Sequence, residues 1–167
     1  SELSKQLGTD LQGVTFENGN TFAQVGGYGV TKVYQIQDEK LNEANVVPFS
    51  VALEQVVNQL GATVVVMPNS SLCEAAASRV AIKLKASVVT NVIGLPDTST
   101  GFVVNKGVYT GKAFATFEMS RPIKVLTVKK NSFEFEDQQG DCAIDTMTVD
   151  LSSVEIKAKI IEIQKME

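Results

Sequence analysis

The sequence has no histidine and no tryptophan, only two cysteines, and arginine at just two positions, Arg79 and Arg121. Without histidine, the Ser-His-Asp and Cys-His nucleophile arrangements and the usual His-containing metal sites are excluded. Scarce arginine is poor equipment for gripping phosphates or base edges. A net charge of −4 and a pI near 5.0 also point away from a nucleic-acid groove. No apolar run approaches the roughly 20 residues that a membrane helix needs, so no membrane insertion is expected. Cys73 and Cys142 stand far apart in different contexts, which argues against a disulfide framework and for a reducing compartment.

What remains is ordinary material for a globular domain: 167 residues, 44% hydrophobic and 20% charged, enough for one domain with one core. Residues 2–7 read as the end of a helix, Gly8 as its stop and Leu11–Phe16 as a strand. Because a domain rarely opens partway along a helix, further chain upstream of Ser1 is expected. Thr21–Val25 reads as a short helix stopped by Gly26 and Gly27, and Val30–Ile36 as a strand. A polar connection ends at Pro48, and apolar residues at 49, 52, 53, 56, 57 and 60 predict a helix over Phe49–Leu60, closed by Gly61. The β-branched run 62–67 suits a strand covered on both faces. Ser71 and Glu74 have the spacing of a capping box and predict a helix beginning there, with Lys83 and Lys85 in its last turn. Further strands are predicted at 87–95, on either side of Gly107–Gly111, and at 122–128. The acidic stretch 134–146 reads as a surface loop, and Val154, Ile156, Ala158 and Ile160 as a late amphipathic strand. Strands alternating with helices predict an α/β fold, a three-layer open sheet that is mainly parallel and ends in antiparallel strands.

Several segments invite a chemical reading. Gly107 and Gly111-Lys112 approach a phosphate loop, but the gap is one residue short. Ala113 stands where a Ser or Thr would hold magnesium, and a strand-like run follows instead of a helix. A glycine-bearing bend between strands fits better. Gly26-Gly27-Tyr28-Gly29 lacks the dinucleotide order and reads as a turn. The helix start at Ser70/Ser71 follows a strand end, where open α/β sheets bind ligands, and is a candidate anion site beside the simpler reading of a self-capped helix. Cys73 reads as packing before it reads as a reactive thiol. The carboxylates Glu134, Glu136, Asp137, Asp141 and Asp145 lack EF-hand spacing. Arg121 reads as a surface residue at a strand entrance. No catalytic constellation, cofactor-binding residue or metal site emerges.

Four stretches in order, 26–41, 61–95, 108–119 and 123–134, resemble the N-terminal domain of the electron transfer flavoprotein α subunit. They carry Tyr28-Gly29-Val30, Ser78-Arg79-Val80-Ala81, Tyr109-x-Gly111-Lys112-Ala113 and Lys124-Val125-x-Thr127-Val128. The chain departs from the family pattern over 70–79, where Arg79 alone is kept. The family's opening strand and its C-terminal FAD-binding domain do not occur in residues 1–167. The resemblance implies an adenine nucleotide alpha hydrolase-like fold and one α-type N-terminal domain over 1–167, an electron-carrier part and not an enzyme. It further implies FAD in an intact α–β heterodimer, with none bound by this domain alone. A β subunit, acyl-CoA or other dehydrogenases and a quinone oxidoreductase would be the partners. The compartment would be cytoplasmic, or the mitochondrial matrix in a eukaryote, with cytoplasmic preferred. Interface contacts are expected at Asn69, Ser70 and Ser71 and at Tyr109, Gly111 and Lys112. The alternative is a free-standing domain that binds AMP or ATP at the strand ends near Asn69 and Ser70.

Overall fold

The structure is a computed structural model and describes every residue except 18, 20, 134–138, 159, 163 and 165–167. Helix α1 (Glu2–Leu7) ends at Gly8, whose φ of 62° is the left-handed conformation a helix stop requires. Strand β1 (Leu11–Thr15) follows, then a 3₁₀ segment (Thr21–Tyr28) and β2 (Val30–Gln35). The 3₁₀ segment runs through Gly26 and Gly27 and does not stop at them.

Helix α2 (Val46–Leu60) begins three residues earlier than its apolar spacing suggests. Asn45 caps it, its Oδ1 accepting from the Val47 N–H at 3.0 Å. Pro48 sits in the first turn, where a missing N–H costs nothing. After β3 (Val64–Pro68), helix α3 (Ser71–Leu84) is capped by Ser70, whose Oγ accepts from the Cys73 N–H at 3.2 Å. The cap therefore falls one residue before the Ser71–Glu74 box. Only Lys83 lies in the last turn; Lys85 is the left-handed cap residue, with φ 52°.

Strands β4 (Ser87–Asp97), β5 (Val103–Val108), β6 (Ala113–Glu118) and β7 (Lys124–Val128) follow, and β8 (Ala143–Thr146) comes last. Part of the predicted acidic loop is thus a strand, because Ala143–Thr146 pairs in parallel with Lys32–Gln35 of β2. Glu134, Glu136 and Asp137 lie outside the described residues. The predicted late strand is not formed at 154–158 or at Ile160. Instead, the ammonium group of Lys40 donates to the carbonyls of Leu151 and Val154 at 2.6 and 2.9 Å and draws that segment back as irregular chain.

The strands form two sheets, β1-β2-β8 and β3-β7-β4-β5-β6. All pairs are parallel except β4–β5 and β5–β6, so the α/β, mainly parallel architecture expected from the sequence is what the chain adopts. Its antiparallel strands come at β5 and β6 and not at the very end. Helices α2 and α3 cover one face of the larger sheet, where Leu53, Val57, Ala77 and Val80 pack on Val65, Met67 and Val125. On the other face Val92, Phe102, Val104, Met119 and Leu126 cluster, with Leu3 and Leu7 of α1 against them. That second face is not fully covered: Val66 is 50% exposed beside Val65 at 8% and Met67 at 7%. The run 62–67 is therefore sealed on one side only.

Candidate functional site

The sheet presents two features where the sequence placed candidate contacts. The first is the C-terminal end of β3. Thr127, wholly buried on β7, donates its hydroxyl to Asn69 Oδ1 at 2.5 Å and accepts from the Asn91 N–H at 2.9 Å. Asn69 also donates its own N–H to the Val128 carbonyl at 2.9 Å. One hydroxyl thereby ties the ends of β3 and β7 to the middle of β4. Asn91, with φ 60°, marks a register shift in β4 that turns its N–H toward Thr127. Neither Thr127 nor Asn91 was expected to hold the strand ends together. The signal was polar residues inside two otherwise apolar runs, VLTV and VVTNV.

Asn69 and Ser70 thus spend Oδ1 and Oγ on the fold itself, while Ser70 and Ser71 remain exposed. Helix α3 is self-capped, and the anion reading of its N-terminus gains nothing from the geometry. Cys73 is buried in the core formed by α2, α3 and β3, a packing role.

The second feature is the β5–β6 hairpin. Tyr109, Thr110 and Gly111 all take positive φ, at 52°, 55° and 85°, and the Lys112 N–H closes the turn on the Tyr109 carbonyl at 3.2 Å. A strand follows the turn and no helix does, so the geometry is a hairpin tip and not a phosphate cradle. Tyr109 is 80% exposed and Phe114 72%. Phe114 pairs with Gly107 across the hairpin, where no side chain shields its ring. Strand β6 is also the outer edge of the sheet. Tyr109 and Phe114 therefore form an exposed aromatic margin on an open edge, the kind of surface through which proteins associate.

The structure does not bring the two features together. Strands β7 and β4 lie between β3 and β5, a separation of roughly 14 Å at about 4.8 Å per strand. β5 also runs antiparallel to β4 and carries the tip away from the end that holds Asn69.

Nor is Gly26-Gly27 a ligand turn. A Cβ at Gly26 would overlap the backbone of Asp141 and Cys142, and one at Gly140 would lie 2.9 Å from the Gly27 Cα. The Gly27 N–H donates to the Gly140 carbonyl and the Cys142 N–H to the Ala23 carbonyl, each at 2.9 Å. These glycines exist so that two backbone segments can touch, and a flavin pyrophosphate could not approach there. Among the described residues no group of three or more His, Cys, Asp or Glu side chains could hold a metal ion. Asp145 is engaged by Lys32 at 2.7 Å, and the hydrogen bond to that carboxylate, then its charge, raises the Lys32 pKa. The Asp97 pKa is lowered by hydrogen bonds from the Ser99 N–H and hydroxyl at 2.9 and 2.7 Å.

A profile of the electron transfer flavoprotein domain matches residues 1–152. The chain belongs to the electron transfer flavoprotein domain family. It is 22% identical over 150 residues to the electron transfer flavoprotein subunit alpha of Bacillus subtilis (strain 168), a match covering 89% of this chain and 46% of that protein. Against the subunit alpha of Syntrophomonas wolfei it is 23% identical over 143 residues, covering 84% of this chain and 45% of the relative. The chain spans about half the length of these curated relatives. The family resemblance carried by the four sequence stretches is thereby shown. No helix among the described residues is long and apolar enough to cross a membrane.

Proposed function

We propose that this chain is the scaffold and subunit-interface part of an α-type electron transfer flavoprotein subunit, an electron carrier and not an enzyme. Residues 1–167 form its N-terminal domain. It docks on a β subunit and supports a flavin carried elsewhere in the assembly. The FAD of the intact heterodimer receives electrons from dehydrogenases, acyl-CoA dehydrogenases among them, and yields them to a quinone-linked oxidoreductase in the cytoplasm. Flavin chemistry belongs to the cofactor, and this chain's residues position the parts. The observation that carries the docking role is the exposed aromatic margin formed by Tyr109 in the turn and Phe114 on the edge strand β6. A permanent heterodimer needs a large apolar contact, and this hairpin, with Gly111 and Lys112 at its tip, offers one margin of it. The turn at Asn69, Ser70 and Ser71 is a second contact, made through the exposed serines.

The experiment is co-expression of the full-length α-type polypeptide with its β subunit, with and without Tyr109→Ala and Phe114→Ala. Loss of subunit assembly and of retained FAD, with the fold of the α chain unchanged by circular dichroism, supports the reading. Assembly and FAD content identical to wild type in the double variant count against the hairpin as the docking edge.

A further inference from the structure

The larger sheet ends on β6, and the bonding of β6 to β5 shows which of its residues face outward. The Met119 N–H donates to the carbonyl of Phe102, its opposite residue, at 2.8 Å. Bonded and unbonded pairs alternate along an antiparallel ladder. Phe117, Ala115 and Ala113 therefore commit their N–H and C=O groups to β5, while Glu118, Thr116 and Phe114 turn theirs away from the sheet. Lys112 precedes the strand in the same alternation. This edge lacks the usual guards against pairing. β6 reads Ala-Phe-Ala-Thr-Phe-Glu, with no proline, no bulge in its ladder and one charge, Glu118. Phe114 and Phe117 are exposed on its two opposite faces. Among the described residues neither Lys112 nor Glu118 enters an ion pair.

The strand is complementary to a copy of itself laid antiparallel about a two-fold axis at Ala115. On one face Lys112 meets Glu118 of the second copy, and Phe114 meets Thr116. On the other face Phe117 meets Ala113, and the two Ala115 methyl groups meet on the axis. Each ring faces a smaller side chain and each charge faces its opposite, the pairings that stabilise adjacent strands. Phe114 and Thr116 both turn their backbone outward, so their pairs can exchange both hydrogen bonds. Neighbouring registers lose this match. An axis at Thr116 sets Phe114 against Glu118 and Lys112 against Ser120. An axis at Phe117 sets the two rings on each other and leaves Glu118 facing Thr116.

We propose that the β6 edge binds a second copy of this chain, strand to strand across a two-fold axis at Ala115, with Lys112 and Glu118 forming an ion pair at each end. The two larger sheets then run on as one, in the order β3-β7-β4-β5-β6-β6-β5-β4-β7-β3. The pairing is closed: the same patch serves both copies and each edge is used up, so association stops at the dimer. Phe114 and Phe117 are covered on both faces by the second copy. A contact one strand long is small, so the dimer is weak and reversible. The inference goes beyond the electron-carrier reading, which seats a different chain on this edge. A β subunit there would exclude the second copy, and the self-pair belongs to the chain without that partner.

The test uses the 167-residue chain alone, so its failure leaves the β-subunit reading untouched. Sedimentation velocity from about 10 µM to about 1 mM should show a monomer passing into a dimer and nothing larger. Glu118→Lys and Lys112→Glu each set like charges against each other and should weaken the dimer at least about tenfold. The double variant, and an equimolar mixture of the two single variants, should both restore it, because each again pairs opposite charges. Oxidised Ala115→Cys should give a 115–115 disulfide, since opposed residues of an unbonded antiparallel pair have Cα atoms about 4.5 Å apart. Ala113→Cys, opposite Phe117, should give no 113–113 disulfide. In the wild-type dimer, hydrogen exchange should slow at the Phe114, Thr116 and Glu118 amides, a readout that needs no substitution. A chain that stays monomeric to about 1 mM overturns the proposal. So does a dimer that both single variants leave unchanged, that the mixture does not restore, or that forms no 115–115 bond.

Discussion

Gly26→Ala separates two reasons for which a fold needs glycine. At Gly26 the new methyl would overlap the Asp141 carbonyl carbon and the Cys142 nitrogen, and would lie 2.7 Å from the Asp141 oxygen. These are backbone atoms and cannot rotate aside. Either the core tolerates overpacking, at about 1–3 kcal/mol, or the contact opens and the Gly27–Gly140 and Cys142–Ala23 hydrogen bonds are lost, at about 1 kcal/mol each. By either route the expected loss is about 2 kcal/mol. Detachment of β8 from β2 sets a ceiling, since the chain can release that strand before it unfolds. Gly61→Ala is the comparison. Gly61 has φ +62° and nothing within 4 Å of a Cβ, so only left-handed backbone strain is added, about 1 kcal/mol. Urea unfolding followed by circular dichroism gives both values, and hydrogen exchange at Ile144 and Asp145 reports the seating of β8. A Gly26→Ala protein within 0.5 kcal/mol of wild type, with Ile144 and Asp145 still protected, would refute the close-contact argument.

Thr127→Val removes the donor to Asn69 and leaves the Asn91 N–H facing a methyl group; urea melts should show a loss of about 1–3 kcal/mol, mostly restored by Thr127→Ser. Lys40→Met frees the Leu151 and Val154 carbonyls, and limited proteolysis should then cut in 151–158 while the sheet stays intact. Asp97 should titrate below the ordinary aspartate range by NMR. Its folded pKa is depressed, so its contribution is present above the unfolded value and fades as pH falls through the folded one. Ser99→Ala removes one of its two donors and should move that midpoint back upward.

Periodicity made the helices and most strands legible, and glycine marked the ends of α1 and α2 because a left-handed residue is needed there. The misses have definite causes. Asn45 and Ser70 cap through side chains that lie before the apolar pattern begins, so the pattern alone starts α2 late and looks for the α3 cap one residue too far along. β8 is short and carries an acid, and only its pairing with β2 makes it a strand. The alternation of Val154, Ile156, Ala158 and Ile160 is a strand pattern with no ladder partner among the described residues, and the lysine that holds its start lies 111 residues away from Leu151. Such a contact has no local signal.

The same distinction orders the candidate site. At the end of β3 the polar atoms of Asn69 and Ser70 are consumed by Thr127 and by Cys73, so changes there register first as stability. At the hairpin, Tyr109 and Phe114 rest on nothing that folding needs, so their loss should leave stability unchanged and register only when a partner is present. A chain whose Tyr109→Ala and Phe114→Ala variants melt well below wild type in isolation would place those rings in the fold. The docking role argued for β6 would then lose its basis.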